Sequence, residues 1–262
     1  MDLTVRRTFA QSLKAWRTRR SLSQLALALE ANVSARHIAF LETGRSRPSR
    51  DMVLQLAARL DLPLRARNEL LESAGFIGEF RENGLDGTAL LPVRSALNHM
   101  LKSHHPFPAL ICDRHWNLVD TNPAAHMLLA AMGAGQGANL GQVLTSSPAA
   151  QAVILNWTEV VQNFANRLRL ELKRCGGDPV LQQLIAKAEA ATGNTTDGTI
   201  EPITESPFVA VQFLMGDRVL SMLSIIAEFG TPRDITVGDL RIELFFPADA
   251  ETESYFSTSV RL

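Results

Sequence analysis

The stretch from Ser23 to Thr43 constrains the fold more tightly than any other part of the chain. Ser23 is placed to cap a helix starting at Gln24, because a serine oxygen accepts from the free N–H groups of a first turn. Ala28 is small where two helices must cross closely. Asn32, four residues on, tolerates the left-handed backbone that a tight turn needs, and Val33 plugs that turn. Ser34 then caps a second helix with Ile38 and Leu41 on its inner face, which turns Arg36, His37 and Phe40 outward.

Apolar residues recur at helical spacing on both sides of this pair. Phe9, Leu13 and Trp16 precede it; Met52, Val53, Leu56 and Leu60, then Leu70 and Leu71, follow it. Ser21-Leu22-Ser23, Ala31-Asn32-Val33, Thr43-Gly44 and Asp61-Leu62-Pro63 supply the breaks. The pattern predicts an all-α, five-helix module over residues 1–75.

Charge separates this module from the remainder. The whole chain has 26 Lys+Arg against 27 Asp+Glu, a net of -1, but residues 1–78 hold 13 against 7 and residues 79–262 hold 13 against 20. A net of +6 beside a net of -7 points to a polyanion as partner of the first part alone. The outward Arg36, His37 and Phe40 suit entry into a DNA major groove, where arginine commonly pairs with guanine. Just beyond, Gly44-Arg45-Ser46-Arg47-Pro48-Ser49-Arg50 puts arginines on a loop, where Arg45 and Arg47 would clamp phosphates without reading sequence.

These residues resemble the helix-turn-helix domain of the phage-repressor-like (XRE) transcription regulators. Gln24-Leu25-Ala26-Leu27-Ala28, Asn32-Val33-Ser34, Ile38 and Leu41-Glu42-Thr43-Gly44 carry the likeness; Asn32 stands where many members have glycine. The resemblance implies that Gln24 contacts a phosphate, that Ser34 lies in the DNA-binding face, and that Arg17 pairs with Glu42 to brace the recognition helix.

Residues 76–92, with Gly78, Gly84 and Gly87 and little periodicity, read as a linker, although Phe76, Ile77, Phe80 and Leu85 are too apolar for a free tether. A second domain follows over 93–262. After a helix at Val93–Leu101, Ala109–Asp113 and Trp116–Thr121 read as strands around a turn at Asp113-Arg114-His115. Asn122-Pro123 opens a helix, and Trp157–Leu172 and Asp178–Ala190 are helical. Phe208–Leu214 and Val219–Phe229 flank Gly216-Asp217-Arg218 as a hairpin, and Ile242–Phe246 adds a strand. The fold class is α+β, multidomain: the helix-turn-helix domain, then a PAS-like antiparallel sheet with a helical insertion, its helices on one face.

Trp116-Asn117, Asn122-Pro123-Ala124-Ala125, Asp178-Pro179-Val180-Leu181, Phe229-Gly230-Thr231-Pro232 and Glu243-Leu244-Phe245-Phe246-Pro247-Ala248 together resemble the C-terminal domain of the MmyB-like transcription regulators. That resemblance implies a PAS-like domain holding a fatty-acid-like molecule. In such a domain an apolar cavity would draw its wall from Phe107, Ile111, Trp116, Leu118, Trp157, Phe164, Phe208 and Phe213. An acyl carboxylate would favour Arg167 or Arg169 at its mouth.

Other chemistries find little support. Five of six histidines, His99, His104, His105, His115 and His126, lie close in sequence, but none is spaced i, i+4, and Cys112 has no CxxC partner, so no metal is expected. No Gly-x-Ser-x-Gly elbow or paired-carboxylate motif marks an enzyme. Cys112 and Cys175 cannot form a disulfide framework, and no membrane-length apolar run occurs, which fits a cytoplasmic protein. The expected molecule is a DNA-binding regulator without a cofactor, homodimeric on double-stranded DNA, sensing a small apolar or acyl ligand. An enzymatic or thiol- or metal-sensing second domain is the alternative.

Overall fold

The computed structural model describes residues 7–135, 137–193 and 209–259. The chain divides into two compact units. One comprises Met1–Glu82, Leu172–Gly177 and Pro232–Gly238, and the other Asn83–Glu171, Asp178–Thr231 and Asp239–Leu262.

The first unit opens with α1 (Phe9–Arg19), α2 (Gln24–Glu30), α3 (Ala35–Glu42), α4 (Arg50–Arg59) and α5 (Leu64–Ser73). Caps set their starts: Thr8 and Gln11 form a reciprocal capping box on α1, and the side chains of Ser23, Ser34 and Ser49 accept from Ala26, His37 and Met52 N–H groups. Asn32 joins α2 to α3 at φ 50°, and the Val33 N–H closes the turn on the Ala28 carbonyl at 2.9 Å. Leu13, Leu27, Ile38, Leu41 and Leu56 are fully buried in one core. Burial of such a side chain is worth about 1.5–3 kcal/mol, enough to outweigh the weak propensities of helices this short.

Residues 76–82 are not a free tether. Asn68 of α5 accepts from the Glu79 and Phe80 N–H groups through Oδ1 and donates to the Phe80 carbonyl at 2.7 Å, and Arg65 pairs with Glu82.

The second unit is built on five strands: β1 (Ala109–Cys112), β2 (Leu118–Thr121), β3 (Val211–Met215), β4 (Arg218–Ala227) and β5 (Arg241–Pro247). All neighbours run antiparallel in the order β2-β1-β5-β4-β3. The helices between β2 and β3 are α7 (Pro123–Ala131), α8 (Leu140–Ser146), α9 (Pro148–Val153), α10 (Trp157–Cys175) and α11 (Pro179–Thr192). Ahead of β1 lies α6 (Leu91–Ser103); α12 (Ile235–Asp239) and α13 (Ala250–Ser259) come late in the chain. Asn122 holds the β2–α7 junction: buried, it accepts from the Ala109 and Ala125 N–H groups and donates to the Phe107 carbonyl.

Two expectations need correction. Helices do not lie on one face of the sheet alone. The pleat sends Ala109, Ile111 and Ile242 toward Leu97 and Leu101 of α6, while Leu110, Glu243 and Phe245 point the other way. Nor does β2 begin at Trp116, since Trp116 sits in the preceding turn at φ 65°.

Candidate functional site

In the first unit, α3 carries the outward side chains. Arg36 is exposed and its guanidinium lies 5.2 Å over the Phe40 ring, so the aromatic face fixes the direction of the cation; His37 and Phe40 are half-buried. Ser34 is exposed, its oxygen accepting from His37 N–H at 3.1 Å. Arg45 and Arg47 are exposed on the α3–α4 loop, whereas Arg50 pairs with Glu79 at 2.9 Å.

Behind α3, Arg17 of α1 grips Glu42 through two bonds, Nε to Oε1 at 2.6 Å and Nη2 to Oε2 at 2.9 Å, and its Nη1 donates to the Leu22 carbonyl. Burial would push the Glu42 carboxyl up, but the bonds from Arg17 and Gln24 outweigh it and hold it below the ordinary value; the bond to Glu42 raises Arg17 further. Gln24 donates Nε2 to Glu42 Oε2 at 2.8 Å. Its side chain is therefore a member of the brace. The amide nitrogen carries a second N–H, which stays available to a phosphate, so the brace and the expected contact are compatible.

The second unit encloses a cavity of about 110 Å³ between the sheet and its insertion helices. Helix α10 supplies one wall from Val160, Asn163, Phe164 and Arg167, a stripe at helical spacing. The sheet supplies Leu110, Val211, Phe213, Ser224, Glu243 and Phe245. Leu129, Met132 and Leu140 close it from the insertion.

Trp116 joins the two. Its ring meets Phe164 edge-on at 5.0 Å, Arg167 stands over it at 5.6 Å, and its Nε1 donates to Glu171 at 3.2 Å. The left-handed backbone of so bulky a residue needs support, and the turn provides it. Asp113 Oδ1 accepts from the His115 and Asn117 N–H groups, and Asn139 donates to the His115 carbonyl at 2.7 Å.

Charges gather beside this wall. Arg167 Nη1 lies 3.8 Å from Glu243 Oε1, and Arg241 Nε lies 3.3 Å from Glu171 Oε1. Burial pushes both carboxyls up, against the pull of Arg167 on Glu243 and of Arg241 on Glu171.

Of the residues expected to line a cavity, Trp116, Phe164, Arg167 and Phe213 do so. Ile111 does not, because it alternates to the α6 side of the sheet. Phe107 packs edge-on to Phe256 of α13 at 6.2 Å. Leu118 is half-buried on the edge strand, outside the lining. Trp157 donates Nε1 to the Leu144 carbonyl and packs on Val161 and Ala165. Arg169 is turned to α11, bonding Glu189 at 2.5 Å and Asn166 at 2.6 Å; two residues along a helix is about 200° of rotation, so Arg167 and Arg169 cannot share a face. Phe208 lies outside the described residues.

Sequence reasoning missed Leu110, Asn163, Ser224, Glu243 and Phe245. Among the described residues, no group of three or more His, Cys, Asp or Glu side chains is placed to hold a metal, and no helix is long and apolar enough to cross a membrane. Buried Cys112 has its thiol pushed well above the ordinary range by desolvation and by Glu243, which disfavours the thiolate that redox sensing needs.

No curated protein matches the chain. Residues 13–66 match the helix-turn-helix family, the XRE-type module. Residues 93–258, more than half of the chain, match the MmyB-like transcription regulator ligand binding domain. The two domains, a reading head and a ligand-binding sheet, stand in the order that the geometry shows, and the chain belongs to the MmyB-like transcription regulators.

Proposed function

We propose that the protein is a one-component regulator whose DNA affinity responds to a small apolar or acyl ligand held in the cavity of the second unit. The observation that carries this reading is the cavity itself: a mainly apolar chamber with its few polar groups gathered at Arg167 and Glu243, in a chain that also bears a basic helix-turn-helix head. A fatty-acid-like ligand is the class that the family resemblance implies. At about 110 Å³ the cavity is of the order of the ~150 Å³ apolar cavity that takes up benzene, which is room for a small acyl segment.

Two copies would act together on double-stranded DNA, since one recognition helix spans one half-site and two-fold proteins set their heads about 34 Å apart. Occupancy alters DNA binding only through unequal ligand affinity for the binding-competent and incompetent states.

Native mass spectrometry of the full chain before and after organic extraction, followed by DNA titration of both samples, tests the reading. A released small acyl compound together with a changed DNA affinity is expected. Identical DNA affinity of the occupied and extracted protein would overturn it.

A further inference from the structure

The polar part of the cavity wall is small and specific. Glu243 of β5 bonds to Ser224 of β4, and Arg167 of α10 faces it at 3.8 Å. That separation is an ion pair beyond hydrogen-bond reach, so the guanidinium has donors and the carboxylate has lone pairs that neither spends on the other. The Trp116 ring lies beneath the Arg167 guanidinium at 5.6 Å and attracts it to that face. Glu171 and Arg241 lie alongside, and Glu228 reaches Arg241 at 3.9 Å, so two arginines are already matched by three acids. A further charge placed in this wall would be buried without a partner of its own.

We propose that this pole selects an uncharged acyl head, one whose carbonyl oxygen accepts from Arg167 and whose N–H or O–H donates to Glu243. A carboxamide meets that pattern directly. A carboxylic acid meets it only when it enters together with a proton. The inference rests on the reading of the cavity as a ligand site and adds the head-group chemistry.

The proton requirement follows from the groups around Glu243. Arg167 and Glu171 face it from α10, Ser224 from β4 and the Cys112 thiol from β1, with Arg241 two residues along its own strand and Glu228, just after β4, paired with that arginine. A ligand carboxylate beside Glu243 would be a fourth anion against two cations. Two carboxylates sharing one site do not both ionise, so one proton is bound between them whichever oxygen carries it. Burial already holds the Glu243 carboxyl above its ordinary range, so the site is disposed to take that proton.

Calorimetric titration of the full chain with pentanamide and with pentanoate, at about pH 6 and about pH 8, tests this. Pentanamide should bind equally at both. Pentanoate should bind with uptake of one proton, seen in buffers of different ionisation heat, and should weaken about 100-fold over the two pH units. In Glu243→Gln that pH dependence should shrink while pentanamide still binds. Pentanoate affinity that is unchanged between the two pH values, without proton uptake, overturns the head-group inference and leaves the sensor reading standing. Failure of both probes to bind the wild-type chain overturns the acyl-sensor reading and the inference with it. The wild-type comparison decides the matter even where the variant does not fold.

Discussion

Glu42 is a buried carboxylate that the reading head can tolerate only because Arg17 and Gln24 satisfy it. Its folded pKa is depressed, so the stability it contributes is fully present above the ordinary carboxyl value, about 4.3, and is lost as pH falls through the lower folded value. Arg17→Met should destabilise the first unit by about 3 kcal/mol, because it strands a buried charge. Glu42→Gln should lower the melting temperature at neutral pH and flatten the acid limb of stability; thermal melts followed by circular dichroism between about pH 3 and about pH 7 would show both. An acid limb as steep as wild type would remove Glu42 from the account.

The residues of the cavity were only partly legible for a similar reason. Arg-Ile-Glu-Leu-Phe at 241–245 alternates, and alternation ordinarily sends charges to solvent, whereas here Glu243 faces an enclosed wall. The continuous run at 109–112 is buried on both faces, so nothing in its pattern told Leu110 from Ile111.

At the level of elements, the helices were the more legible. Ser23, Ser34, Ser49 and Asn122 all mark helix starts, and Asp178 does the same for α11 by accepting from the Val180 and Leu181 N–H groups. Local chemistry is sufficient there because a cap and its partner lie within a few residues. Faces are another matter: the rotation between Arg167 and Arg169 is readable, but which of them meets the sheet depends on Trp116 and Glu243, remote in sequence.

The α2–α3 turn offers an element-scale prediction. Asn32→Gly should leave stability nearly unchanged, whereas Asn32→Val should cost about 1–2 kcal/mol, because a branched side chain is poorly suited to φ 50°. Denaturant melts of both variants give the comparison. Equal losses would mean that the backbone angle is not what fixes this turn.

Across the whole molecule the charge is divided, with +6 on the first 78 residues and -7 on the rest. DNA attraction should therefore reside with the first unit and depend on salt. Arg36→Ala should relax base preference at one position at a cost of about 1–3 kcal/mol, while Arg47→Ala should weaken all sequences alike and reduce the salt slope by about one. Binding titrations over a salt series on specific and random DNA separate the two roles. Equal losses on both DNAs for both variants would refute them.

Trp116, held in its left-handed turn between Phe164 and Arg167, has an optical consequence. It is one of three tryptophans in the chain, and Trp16 and Trp157 lie outside the cavity wall. Whatever enters the cavity therefore changes the surroundings of the Trp116 indole directly, Trp157 only through the cavity-lining Leu144 that it bonds, and Trp16 of the first unit remains an internal standard, so the protein carries a built-in fluorescent gauge of its own occupancy.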